Sequence, residues 1–225
     1  VTALTHRFAR AVDYARIAHG AQFRKGSDIP YIYHLLGVSS LVIEYGGNED
    51  QAIAGLLHDV IEDCGEAHIH SIRAEFGKAV ASIVADCTDG TPESKDAAKT
   101  PEAKRQNWSE RKLKYIAHIK KESKASLLVT GCDKLHNVRA ILTDLENPKV
   151  GTKVFERFTG GKVGTLGYYE SLARVLTQRK APMALAFGAA VARIHVLAGN
   201  APRKALEGIA AAPVAKKQKG ASRKR

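Results

Sequence analysis

Cysteine, methionine and tryptophan are scarce in this chain: three, one and one among 225 residues. Cys64, Cys87 and Cys132 are scattered, with no C-x-x-C spacing. An odd, unpatterned set argues against a disulfide framework and fits small buried thiols in a reducing compartment. Long hydrophobic runs are lacking too. The longest nearly uncharged stretch, Ala181 to Ala192, is too short to span a bilayer and reads as a buried helix. Acids and bases appear early and no apolar leader core is visible, so no signal peptide and a cytoplasmic location are expected. Strand signals and internal repeats are also missing, which points to an all-α class.

What is present is enough for one domain. Apolar residues make up 44% of the chain, so it can bury a core. The net charge is +12, but it is unevenly spread. Residues 201–225 hold eight Lys or Arg and one acid, Glu207, while the other 200 residues carry 27 bases and 22 acids. We therefore expect a mildly basic domain over 1–200 and a flexible cationic tail over 201–225, with a short helix possible near 203–210. A basic tail alone is weak support for nucleic-acid contact.

Helical periodicity is expected over 2–19, 34–44, 49–63, 70–75, 78–87, 108–121, 125–146, 166–178 and 182–198. Asn48 is placed to cap the third of these. Residues 20–30, 88–107 and 149–164 have loop composition. Arg24 and Lys25 sit side by side in the first loop. A solvated turn would explain them, and so would a clamp for phosphate or a platform for a base. The basic stripe Arg111, Lys112 and Lys114 reads mostly as a solvated face.

The stretch Ala54–Asp63 carries the chemistry. On a helix, His58 and Glu62 are four apart, as are Asp59 and Asp63, beside apolar Leu56, Leu57, Val60 and Ile61. Carboxylates lowered toward a core need a metal, a cation or a substrate to offset their desolvation. We read His58 and Asp59 as metal ligands and Glu62 and Asp63 as an acid/base and water-positioning pair. An acidic helix end with one satisfied histidine would account for these ten residues equally well. His34 and Asp133 join them as candidate ligands, since Asp133 lies in the most apolar part of its own helix. Imidazole and carboxylate ligands suit a first-row divalent ion.

Several motifs occur in order: Gln22-Phe23-Arg24-Lys25, Pro30-Tyr31-Ile32-Tyr33-His34, Leu56 to Asp63, Phe76-Gly77, and Asp133-Lys134-Leu135-His136-Asn137-Val138-Arg139. From about residue 4 to 178 the chain resembles the HD-domain metal phosphohydrolases. Within them it is similar to the small alarmone hydrolases and the hydrolase half of RelA/SpoT-type enzymes. The resemblance implies an all-helical bundle holding one ion, usually manganese, that removes the 3′-diphosphate of a nucleotide such as ppGpp or pppGpp to give pyrophosphate and GDP or GTP. It implies His34, His58, Asp59 and Asp133 as ligands, and Glu62 and Asp63 as serving the attacking water. Arg24 would stack on or clamp the base, Lys25 would neighbour the phosphates or base, and Asn137 would touch ribose or phosphate. Tyr168 would line the sugar, unless Tyr169 does so. The family often has Pro after the first ligand histidine. Here Leu35 stands there, which alters how that helix starts. No space for a synthetase domain is apparent, so degradation rather than synthesis is expected. Adenosine alarmones of the pppApp type, or NADPH, remain alternative substrates. A non-catalytic nucleotide-sensing or nucleic-acid-binding module is the alternative of another class.

Overall fold

A computed structural model describes residues 3–90 and 99–207. Among the described residues there are ten α-helices and no strand: α1 (His6–Ala18), α2 (Ile32–Glu44), α3 (Glu49–Leu57), α4 (Val60–Cys64), α5 (His68–Phe76), α6 (Lys78–Cys87), α7 (Pro101–Ile119), α8 (Lys124–Glu146), α9 (Gly161–Gln178) and α10 (Ala184–Leu197). A 3-10 helix, Gly151–Arg157, joins α8 to α9.

The bundle is built around α8, which packs on α2, α3, α6 and α10. It can do so because apolar and small residues run along much of its surface: Leu127, Leu128, Val129, Gly131, Cys132, Leu135, Val138 and Ile141 are buried. Leu35, Leu56, Leu57 and Leu135 are fully enclosed around its middle turns. Each such side chain contributes about 1.5–3 kcal/mol of burial. The free thiols Cys87 and Cys132 are buried in this core and Cys64 is partly buried.

Local caps set the helix starts. Asn48 and Gln51 form a reciprocal capping box at α3, as Asn48 was expected to do, and Ser123 caps α8. Two starts differ most from expectation. α7 begins at Pro101 inside the expected 88–107 loop, because Thr100 accepts from the Ala103 amide at 3.1 Å and proline is tolerated at the first helical position. The rest of that loop, 91–98, lies outside the described residues. α9 begins at Gly161, five residues early, and the 3-10 turn occupies the other part of the expected 149–164 loop.

One break matters for function. The helix expected over 49–63 ends at Leu57, turns through His58 and Asp59, and resumes at Val60. Asp59 takes φ −96° and ψ −4°, the bridge region where turn and active-site residues often sit. The Asp63 amide still reaches the Asp59 carbonyl at 2.9 Å, so the chain keeps its direction across the turn.

Residues 201–207, expected as the start of the tail, are not helical but lie along α9. Arg203 meets Glu170 at 2.8 Å, and the Leu206 amide donates to Gly167 O and Ser171 Oγ. The remaining tail residues fall outside the described set. No described helix is long and apolar enough to cross a membrane.

Candidate metal centre and pocket

Helix α2, the turn after α3 and the middle of α8 converge on one point. His34 Nε2 lies 3.5 Å from Asp59 Oδ2 and 3.2 Å from Asp133 Oδ1. His58 Nε2 lies 3.0 Å from Asp59 Oδ2 and 3.5 Å from Asp133 Oδ1. Ligand atoms of His34, His58 and Asp59 fall within 4.8 Å of one another. Asp133 is not part of that trio, although its Oδ1 faces both imidazoles, and its Oδ2 meets Lys134 Nζ at 2.6 Å.

Both imidazole Nε2 atoms are buried with no hydrogen-bond partner among the described residues. Native interiors rarely leave such atoms unpaired. Facing two carboxylates, they form a donor set that fits a first-row divalent cation. Electrostatics agree. Burial works to keep His58 neutral, yet Asp59 and Asp133 raise its pKa well above the usual imidazole range. Burial likewise disfavours the charge on Asp133, but Lys134 and His58 hold the carboxyl well below its usual value. The centre is a place where positive charge is stabilised.

Surrounding groups orient the candidate ligands. His58 Nδ1 bonds the Gly55 carbonyl at 2.8 Å, and His34 Nδ1 bonds His136 Nδ1 at 2.9 Å. The Tyr31 hydroxyl donates to Asp59 Oδ2 at 2.7 Å. Burial and the Asp59 charge push that phenol far above its ordinary range, so it stays a donor. Gln22 donates to Asp63 Oδ2 at 2.8 Å through its amide nitrogen, and its Oε1 accepts from His19 Nδ1 at 2.6 Å. Asp63 is thus fixed from the loop that carries Arg24.

A cavity of about 540 Å³ opens beside this centre, lined by Arg24, Lys25, Tyr31, Asn137, Tyr169 and Arg157, among others. A hydrogen-bonded line joins the two: Asn137 Nδ2 donates to Asp133 Oδ1 at 2.6 Å, and Arg24 donates to Asn137 Oδ1 at 2.7 Å. The Arg24 guanidinium lies 5.6 Å over the Tyr31 ring. Tyr168 faces a second cavity of about 220 Å³ with Lys112, Lys134 and Asn137. Its hydroxyl is buried and has no hydrogen-bond partner among the described residues. Tyr169 lines both cavities.

Three features escaped the sequence reading. Arg111 and Lys112, expected on a solvated face, converge on the buried Asp89 carboxylate, and Lys112 also lies 5.1 Å over the Tyr168 ring. The cause is Asp89, 22 residues before Arg111, which the loop composition around it concealed. Arg157 and Phe158 reach the larger cavity from a stretch with no recognisable motif. Arg157 is held by Asp144 at 2.7 Å, and its side chain lies against Gly26, where a Cβ would come within 2.5 Å of Nε. His136 sat in a quoted motif without a role. Its spacing of three from Asp133 was the available signal.

The HD domain family model matches residues 11–165. The chain belongs to the HD domain family. A probable guanosine-3′,5′-bis(diphosphate) 3′-pyrophosphohydrolase of Mycoplasma pneumoniae is 28% identical over 161 residues, 71% of this chain and 22% of that one. The guanosine-3′,5′-bis(diphosphate) 3′-pyrophosphohydrolase MESH1 of Xenopus tropicalis is 34% identical over 132 residues, 57% of this chain and 66% of that one. Among solved structures, a metazoan SpoT orthologue described as hydrolysing ppGpp superposes with a TM-score of 0.53 at 25% identity, over 80% of this chain and 98% of its own. The chain spans less than a quarter of the length of several bacterial relatives it matches. The HD domain here is all-helical, with the His58-Asp59 pair at the break between α3 and α4.

Proposed function

We propose that this HD domain hydrolyses the 3′-diphosphate of an alarmone nucleotide such as ppGpp or pppGpp, giving pyrophosphate and GDP or GTP. One observation carries the reading. Two orphaned imidazole nitrogens and two carboxylates sit at one end of a hydrogen-bonded line, Asp133–Asn137–Arg24, that ends in a nucleotide-sized cavity. The relatives named for this reaction support the choice of substrate.

His34, His58, Asp59 and Asp133 would hold one divalent ion, which we take to be manganese. When bound, such an ion supplies Lewis acidity, polarising a phosphoryl oxygen and acidifying water. In the reaction the water oxygen bonds to the phosphorus carried by O3′, and the P–O3′ bond breaks. Glu62 and Asp63, one turn beyond the ligands, take the proton from water and return one to O3′. Gln22 keeps the Asp63 carboxylate aimed. Arg24, backed by Tyr31, stacks on the base, and Lys25 neighbours the phosphates or base at the rim. Asn137 sits where ribose or phosphate meets the centre. Tyr168, with Lys112 and Lys134, lines the smaller cavity, where cations suit a diphosphate, and Tyr169 bounds the sugar side.

The test is direct. Manganese-loaded protein is incubated with ppGpp, pppApp and NADPH in parallel, with Asp133→Ala as control. Pyrophosphate from ppGpp is the expected result. A preference for pppApp moves the function to adenosine alarmones, and phosphate from NADPH alone moves it to cofactor metabolism. Binding of nucleotide with no turnover of any of the three overturns the enzymatic reading in favour of a sensing module.

A further inference from the structure

The two candidate ligand histidines are oriented by different partners. His58 Nδ1 faces the Gly55 carbonyl at 2.8 Å. A carbonyl only accepts, so neutral His58 carries its proton on Nδ1 and leaves Nε2 bare for a cation. His34 Nδ1 faces another imidazole nitrogen, His136 Nδ1, at 2.9 Å. That bond can run either way. His34 presents a bare Nε2 only when its Nδ1 donates, which requires His136 to accept on Nδ1 and carry its own proton on Nε2.

The setting of His136 is specific. Its ring centroid lies 4.8 Å from that of His34 and 5.3 Å from that of Tyr33. Its far edge rests on Gly37, one turn beyond His34 on α2. A Cβ at position 37 would come within 2.2 Å of His136 Nε2. Only a glycine there leaves space for the ring. Asp133 and His136, three apart on α8, thus share one face: the first points its carboxylate into the centre, and the second supports the histidine opposite.

We infer that His136 is a positioning residue that sets the His34 tautomer for metal binding, and that Gly37 makes the space for it. The inference rests on the metal-centre reading above. Partners of this kind typically alter metal affinity about 10–100-fold.

The test measures Mn2+ affinity of the full chain by calorimetry, with thermal melting as a check on folding. His136→Leu removes the acceptor and should weaken Mn2+ binding about 10–100-fold. His136→Asn, whose Oδ1 falls near the position of Nδ1, should restore affinity to within about threefold. Gly37→Ala should weaken binding as His136→Leu does, although alanine favours the helix. Equal losses in the Leu and Asn variants would reduce His136 to packing and overturn the inference. Undiminished affinity in His136→Leu would do the same while leaving the metal centre intact. No Mn2+ binding by the wild type would sink both readings. An independent check needs no variant: in Zn2+-loaded wild-type protein, 15N NMR should place the His34 proton on Nδ1 and the His136 proton on Nε2. A His136 proton on Nδ1 would overturn the assignment.

Discussion

Asp133 and Glu122 are two carboxylates of nearly equal burial, 3% and 5% exposed, and they have opposite fates. Asp133 has Lys134 and Asn137 each at 2.6 Å and two imidazoles within 3.5 Å. Those partners more than offset its desolvation, and it stays charged. Among the described residues the Glu122 carboxylate, just before α8, accepts only from the Thr130 hydroxyl at 3.3 Å, and its Oε2 has no hydrogen-bond partner. His118 stands 3.7 Å away and is half exposed. Burial pushes the Glu122 carboxyl up to about 7. Burial alone therefore does not make a reactive carboxylate. A buried acid keeps its charge where the chain surrounds it with cations and donors, and that arrangement marks the functional end of this bundle.

The comparison breaks most visibly if its first member is removed. Asp133→Ala should abolish Mn2+ binding and turnover while circular dichroism retains the helical signal. Full metal content in that variant would remove Asp133 from the ligand set. Next in size, Glu62→Ala should keep the metal and lose about 10²–10⁴ in turnover, the usual contribution of a positioned acid or base. Lost metal instead would make Glu62 a ligand. A smaller effect is expected at Tyr31→Phe, which deletes the hydroxyl on Asp59 Oδ2 and leaves the ring under Arg24. Mn2+ affinity should fall about tenfold, and an unchanged value would show that Asp59 needs no such support.

Much of the bundle was legible because periodicity reports burial directly. The apolar positions of α2, α6 and α8 repeat at helical spacing, and their predicted spans match within a residue or two. Asn48 announced its own cap. The candidate ligands were legible for another reason: polar residues in apolar company are costly, so His58, Asp59 and Asp133 stood out against their neighbours. What stayed hidden depends on distance in the chain. Nothing local says that Asp89 will draw Arg111 and Lys112 inward, or that His136 will meet His34 across 102 positions. The break at His58-Asp59 was also invisible, since Ala54 to Asp63 contains no proline or turn signal at that point, and the chain turns where His58 and Asp59 meet groups from distant helices.

The smallest effect on turnover, and the sharpest probe of the contrast, belongs to Glu122→Gln. In the unfolded chain this carboxyl titrates near its ordinary value of about 4.5, and in the fold near about 7. Below about pH 4.5 both states hold the proton, and burial of the neutral acid costs nothing extra. Between the two values the unfolded state releases its proton first, so stability falls as pH rises, and above about 7 the loss is complete. A shift of this size corresponds to about 3 kcal/mol. Glutamine carries no charge to desolvate, so the variant should melt higher than the wild type at pH 8 and alike at pH 4.5, with turnover unchanged at both. Parallel melting profiles across that range would mean that Glu122 finds a partner for its charge, as Asp133 does, and the two carboxylates would no longer stand as opposites.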